Sequence, residues 1–302
     1  MTSGTARMLA YADDVESGRV LACEALLLAV ARFRKDWAAA SKRGARYEYD
    51  AEAADKIVRN IERLEQWEDQ FNGRLIHLEP WECFGICQVF GWKDTKTGMR
   101  RFKKMLWFIS RKMGKTLLVS AIATVCLMNE NGVDIYTLAQ RQKTANKTFT
   151  NITEFIQRSD AVRGKLIPHK SPKSIECPKT SNVYMPLSSD SSLDGLSPFI
   201  AIIDELAAQK KGEAYRILTS GMGVHPERLT VIISTAEPSL DNPLVEEYQY
   251  CKKLLNGNMD NDEYLALIYE YDKDDKWDDL SKLQKSCPNL GITVDVAFYA
   301  GE

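Results

Sequence analysis

Three short stretches carry residues that could act on phosphate. In residues 110–116 (SRKMGKT), Gly114, Lys115 and Thr116 stand in a row. A glycine lets the backbone approach an anion closely. Lys115 is placed to reach the β- and γ-phosphates of a nucleotide, and Thr116 to offer its hydroxyl to Mg2+. The usual loop reads G-x-x-x-x-G-K-[ST]; the position of its first glycine is Ile109 here, and Arg111 and Lys112 add two cations to the loop. Alone, GKT fits a solvated basic turn as well. The second stretch, FIAIIDE, ends an apolar run in the adjacent carboxylates Asp204 and Glu205. A buried strand that delivers an aspartate to the sheet edge is how P-loop enzymes hold Mg2+, and a glutamate beside it can polarise an attacking water as general base. The third, STA (Ser234, Thr235, Ala236), closes another apolar run. A hydroxyl at that edge can bond near the γ-phosphate and respond to its loss; by itself STA reads as a strand-ending turn. Loop and carboxylate pair together imply a P-loop nucleotide hydrolase, with water as the acceptor.

Such residues need a sheet to position them. KMLWFIS reads as a buried strand and TLLVSAIATVCLM, apolar on nearly all sides, as a buried helix. VDIYTLA, FIAIID, LTVIIST and YLALIYEY are further strands, and SNVYMPLSS reads as an edge strand. Ala145, Phe149, Ile152 and Phe155 recur at the helical period; further helices are expected near 214–218 and 244–255. Strands alternating with helices, several uniformly apolar, imply an α/β fold with a mostly parallel central sheet covered on both faces. Upstream, Leu26, Val30, Phe33 and Trp37 share one helical face, and Ile57, Ile61, Leu64, Trp67 and Phe71 another, with the polar link SKRGARYEYDAE between them. The expected division is an N-terminal helical region (1–75), a P-loop core (76–262), and a last strand with a linker-like segment (263–302).

Bulk properties narrow the class. The chain has 302 residues, 44% hydrophobic and 27% charged, enough for a sizeable core and unlike a disordered or collagenous chain. A net charge of −2 does not advertise nucleic acid, although a local basic surface is compatible with it. Seven irregularly spaced cysteines fit a reducing compartment. Cys83, Cys87 and His77 lack a fourth zinc ligand at a familiar spacing and read as ordinary buried thiols beside a histidine. MTSGTARMLAYADD holds no apolar run, and LACEALLLAVA is interrupted by Glu24 and too short to span a bilayer. The acidic run YDKDDKWDD reads as a solvated loop.

In their order along the chain, these segments resemble the large terminase subunit of tailed bacteriophages, the motor that packages DNA into procapsids. SRKMGKT resembles its variant phosphate loop, DGLSPFIAIIDELAAQ its carboxylate segment and ISTAEPSLDNP its coupling motif. LEPWECFGICQVFGW resembles its adenine-side motif, and KWDDLSKLQKSCPNLGITV the segment leading out of the ATPase domain; the match runs over roughly residues 75–295. Two residues depart from the family pattern: Glu82 stands where a glutamine is usual, and Ser234 where a threonine is.

The resemblance implies a RecA-like, additional-strand P-loop ATPase that uses ATP and Mg2+. It would work as a ring, a pentamer on the portal protein, with the small terminase subunit and double-stranded DNA as partners. It would act in the host cytoplasm, transiently bound to the procapsid, with no membrane involved. Ser110, Arg111, Lys112, Met113, Gly114, Lys115 and Thr116 would hold the phosphates. Thr116 and Asp204 would hold the metal, Glu205 would activate water, and Ser234, Thr235 and Ala236 would couple phosphate loss to movement. Trp81 and Glu82 fall on the adenine side; aromatic core packing accounts for Trp81 equally well, and a carboxylate, unlike an amide, only accepts. An arginine finger would be Arg111 in cis, or Arg216 or Arg228 in trans near the active edge, with surface salt bridges the plainer reading of each. DNA contacts are expected in 141–147 and 165–173, where a solvated basic face explains the charges equally. A nuclease domain follows in the family, so an ATPase domain without its nuclease is expected here. Another nucleic-acid-stimulated ATPase, such as a helicase-like motor, and a nucleotide-gated scaffold without turnover remain the alternatives.

Overall fold

The computed structural model describes residues 2–209 and 212–300. Helices α1 (Gly4–Glu16) and α2 (Glu24–Ala40) lead, then strand β1 (Tyr47–Tyr49) and helix α3 (Ala51–Ile61). Helix α4 (Pro80–Gly91) runs into strand β2 (Trp92–Asp94), which pairs antiparallel with β1. The alternating part is β3 (Lys104–Phe108), α5 (Lys115–Asn129), β4 (Asp134–Ala139) and α6 (Gln142–Arg158). There follow β5 (Ile167–Lys170), β6 (Lys173–Cys177), β7 (Asn182–Ser188), β8 (Ile200–Asp204), α7 (Glu213–Ser220) and β9 (Leu229–Ser234). Helix α8 (Pro243–Leu255), β10 (Tyr264–Ile268) and the short α9 (Val296–Ala300) complete the chain.

Local chemistry explains where several helices begin. Asp50 caps α3 by accepting from the Ala53 amide, and Asn242 caps α8 ahead of Pro243. Pro80 opens α4, where the missing N–H costs nothing.

The main sheet has the order β10-β3-β9-β8-β4-β7-β6-β5. From β10 to β7 every pair is parallel; β6 and β5 add an antiparallel hairpin. All residues of β8 and β9 are buried, as a sheet covered on both faces requires. Strand β9 lies between β3 and β8, so an additional strand separates the phosphate-loop strand from the carboxylate strand. Register pairs Phe108 with Ser234, Ile233 with Asp204, and Asp204 with Ala139. The C-terminal ends of β3, β9, β8 and β4 therefore open on one edge. One continuous apolar cluster runs through the sheet and its covering helices, from Met8 to Cys287. Among the described residues no helix is long and apolar enough to cross a membrane.

Several expectations need correction. The segment SNVYMPLSS is not an edge strand: β7 lies between β4 and β6, because the hairpin β5–β6 extends the sheet past it. The second upstream helix stops at Ile61. Beyond it the chain folds back on itself, with the Gln66 amide on the Arg74 carbonyl and the Ile76 amide on the Leu64 carbonyl. Leu64 is buried by that turn, and Trp67 donates its indole N–H to Asn151 Oδ1 on α6 at 3.1 Å. The polar link contains β1. The strand YLALIYEY ends at Ile268. In the acidic run, Asp272 and Asp275 both bind Lys285, at 2.7 and 2.6 Å, while Trp277 is exposed.

Candidate nucleotide site

The loop between β3 and α5 is built on two left-handed residues, Lys112 (φ 66°) and Gly114 (φ 76°). Glycine takes this conformation at no steric cost; a lysine must be held in it. Lys115 opens α5, where unpaired amides and the helix dipole favour an anion. Its ammonium donates to the carbonyls of Ile109 (2.9 Å) and Ser110 (2.5 Å). Burial pulls the Lys115 ammonium down to about 8, against the opposing pull of Asp204 and Glu205. Ser110 is half-buried and does not line the cleft at the loop, its amide bonding the Ser286 carbonyl; Met113 is fully buried, so it would serve through the backbone. Ile109, at the place of the missing glycine, is also buried, and its amide bonds the Ser234 carbonyl.

Strand β8 brings the carboxylates to the same place. Thr116 Oγ1 lies 3.4 Å from Asp204 Oδ2 and donates to it. A hydroxyl and a carboxylate oxygen side by side are the hard donors that Mg2+ prefers, so the residues fit that ion. Burial, then the charge of Glu205, push the Asp204 carboxyl up to about 6. Glu205 takes a left-handed conformation (φ 55°) that turns it out of the strand, and it is exposed towards the cleft. Among the described residues no group of three or more His, Cys, Asp or Glu side chains is arranged to hold a metal; Cys83 and Cys87 are buried and the His77 side chain is 70% exposed.

A cleft of about 1100 Å³ is lined by Arg111, Lys112, Met113, Gly114, Lys115 and Thr116 together with Asp204, Glu205 and Thr235. Its far wall is the face of α6 carrying Lys143, Asn146 and Lys147. Two of the cations assigned from sequence to the 141–147 basic stretch thus look into this cleft. Ser234 does not line it: its hydroxyl accepts from the Ala207 amide at 3.2 Å, tying β9 to the turn after Asp204. Ala236 follows in the exposed segment beyond β9. Arg111 lines the cleft and donates to Glu237 Oε1 at 2.8 Å, linking the loop to the residue after STA, a contact that sequence spacing did not suggest.

A second cavity, of about 650 Å³, adjoins the loop and is lined by Glu82, Lys112, Gly114, Leu117 and Asn289 among others. Glu82 Oε2 accepts from the Glu79 amide at 2.7 Å. Burial pushes the Glu82 carboxyl up to about 8, which favours its protonated form, the one form in which a carboxyl can donate. Trp81 lines neither cavity. Its ring is 2% exposed and packs edge-on against Trp107 and Tyr269, with its N–H on Asn289 Oδ1 at 2.6 Å. The aromatic-packing reading is the one its surroundings match. Arg216 sits on α7 with Glu246 of α8 at 3.8 Å, outside both cavities. Arg228 corrects the sequence reading. It immediately precedes β9, so it lies at the opposite end of that strand from Ser234, roughly 20 Å away. The basic stretch 165–173 covers the turn before β5 and the start of the β5–β6 hairpin, where Lys165, Lys170 and Lys173 are exposed.

An additional strand between the phosphate-loop and carboxylate strands, with lysine, threonine and acidic pair at one edge, defines a RecA-like P-loop ATPase. The family model described as "Terminase large subunit, ATPase domain" matches residues 80–253. The chain belongs to that family. It is 34% identical over 101 residues to Protein YmfN of Escherichia coli (strain K12), an overlap covering 33% of this chain and 22% of that protein. The fold resembles the crystal structure of the HK97 bacteriophage large terminase with a TM-score of 0.71 at 20% identity, over 82% of this chain and 50% of that one. The chain thus spans half or less of these relatives' own length.

Proposed function

We propose that this domain binds ATP with Mg2+ and hydrolyses it to drive double-stranded DNA into a viral procapsid. The observation that carries the reading is the pairing of Thr116 Oγ1 with Asp204 Oδ2 at 3.4 Å, in the cleft that Lys115 and Glu205 also line. Lys115 exchanges its carbonyl partners for the β- and γ-phosphate oxygens. Thr116 and Asp204 hold Mg2+, which when bound neutralises phosphate charge. Glu205 accepts a hydrogen bond from the attacking water and orients it. Arg111, already at the loop, is the cis candidate for the charge that develops on the transferred phosphoryl group, and Arg216 the trans candidate. Ser234, Thr235 and Ala236 join the γ-phosphate end of the cleft to the turn after Asp204.

The motor would be a ring, a pentamer seated on the portal protein and loaded by the small terminase subunit, in the host cytoplasm at the procapsid. Lysines of the β5–β6 hairpin supply phosphate contacts to DNA, independent of sequence and weakened by salt.

Glu205→Gln tests the chemistry. It keeps the shape of the side chain and removes its basicity. ATP binding is expected to survive, with turnover falling by about 10²–10⁴-fold, the usual worth of a positioned base. Undiminished turnover would remove Glu205 from the mechanism.

A further inference from the structure

The segment after the last sheet strand returns to the phosphate loop and binds it residue by residue. The Ser110 amide donates to the Ser286 carbonyl at 3.3 Å. Tyr299 OH donates to the Arg111 carbonyl at 3.3 Å, Thr293 Oγ1 to the Lys112 carbonyl at 2.8 Å, and Asn289 Nδ2 to the Met113 carbonyl at 3.4 Å. Four consecutive loop residues thus each give one backbone group to residues 286–299. Asn289 is 4% exposed, and its other amide atom, Oδ1, accepts from Trp81 on α4.

The direction of these bonds matters. In a planar trans peptide, the carbonyl of one residue and the N–H of the next point opposite ways. Holding the carbonyls of 111, 112 and 113 against the segment turns the N–H groups of 112, 113 and 114 away from it. Successive amides facing one side form an anion-binding concavity. The hydroxyl of Thr293 also grips the carbonyl of Lys112, the lysine held in the left-handed region, which persists only where its surroundings enforce it.

We propose that residues 286–299 are a strap that sets the phosphate loop in its anion-binding shape, with Asn289 and Thr293 as positioning residues. The proposal deepens the ATPase reading and, for its effect on nucleotide, rests on it.

Two variants of the full chain test it. Asn289→Asp keeps the acceptor for Trp81 and replaces the donor to Met113 with a repelling oxygen. Thr293→Val keeps the shape and removes the hydroxyl, at a partly exposed position where misfolding is not an issue. In the nucleotide-free protein, tryptic cleavage after Arg111 and Lys112 is expected to quicken several-fold in both, because cleavage follows local opening. In Thr293→Val it should do so without a change in melting temperature, whereas the buried carboxylate of Asn289→Asp also lowers global stability. ADP affinity should fall about tenfold in the double variant, the worth of two neutral hydrogen bonds. At saturating ATP, kcat should change far less than KM. Wild-type cleavage rates in both single variants would overturn the strap. So would wild-type behaviour of Asn289→Asp beside a loss in Asn289→Ala, since Asn289 would then act only through Trp81. If the unaltered chain binds neither ADP nor ATP, the ATPase reading fails, while the cleavage arm still decides the strap.

Discussion

Asp204 is held where ionisation is costly, and the cost has a sign that can be measured. Its carboxyl is 3% exposed, beside Glu205, and titrates near 6 instead of its ordinary value near 3.8. The folded protein therefore binds more protons than the unfolded chain between those two values. Stability falls as pH rises through that window and stays lowered above it. Asp204→Asn removes the buried charge while keeping a partner for Thr116. The nucleotide-free variant is expected to melt above wild type at pH 8, by an amount worth up to a few kcal/mol. The advantage should vanish below about pH 4, where the native carboxyl is protonated anyway. Melting curves across pH read this directly, and an advantage that persists undiminished at pH 4 would place its origin elsewhere. A site that stores this cost without nucleotide recovers it by binding a cation. Residue types and adjacency made this part of the site legible: GKT and DE are contiguous in sequence, and their roles follow from neighbours one or two places away. Asn289 was not legible in that way. Its partner Met113 lies 176 residues off, and nothing in SCPNLG announces a bond to the loop.

At the scale of elements, the loop is only as well placed as β3, and β3 is pressed from one side by α4. Gly85 makes that closeness feasible: a Cβ there would sit 2.6 Å from Trp107 Cζ2 and 2.9 Å from Met105 Cε. Both obstacles are buried side chains rather than backbone, so Gly85→Ala should cost about 1–3 kcal/mol, the range for overpacking. Gly221, after α7, meets backbone instead: its added Cβ would lie 2.2 Å from the Leu196 carbonyl oxygen. Gly221→Ala is expected to be the more damaging of the two, with the lower denaturant midpoint. The reverse order would mean that the 196 turn yields more easily than the α4–β3 contact. The same packing explains what sequence patterning captured and missed. Strands β3, β8 and β9 are buried on both faces and read as unbroken apolar runs. Helix α4 is buried on nearly every side, so no helical period survives in ECFGICQVF. Strands β5 and β6 are short; β5 is largely exposed and β6 buries only Ile175 and Cys177, too little apolar pattern to show. Without that hairpin in view, β7 could only be taken for an edge.

For the whole molecule, the question is whether the N-terminal helices are an appendage or part of the motor's frame. The sequence places a boundary near residue 75, but the packing crosses it. The Phe84 ring of α4 packs against Tyr11, tilted, at 5.5 Å and edge-on against Phe33 at 5.4 Å. Arg7 reaches from α1 to Glu62 at 2.8 Å and to the Leu78 carbonyl at 2.7 Å. Arg32 of α2 donates to the carbonyls of Tyr264 and Asn261, and Cys23 Sγ to that of Ile268, so α2 covers the edge strand next to the phosphate-loop strand. Met8, Leu26, Val30 and Phe33 are each at most 1% exposed. At roughly 1.5–3 kcal/mol for each large apolar side chain buried, these four alone approach the 5–15 kcal/mol by which whole domains are stable. A chain beginning at residue 76 should therefore fail to fold cooperatively. It should show no sharp denaturant transition and weak near-ultraviolet circular dichroism, because Phe84, Trp92 and the face of β10 would lose their cover. A sharp transition with native aromatic signal would instead make residues 76–302 a folding unit of their own. The N-terminal helices would then be free to serve a partner rather than the sheet.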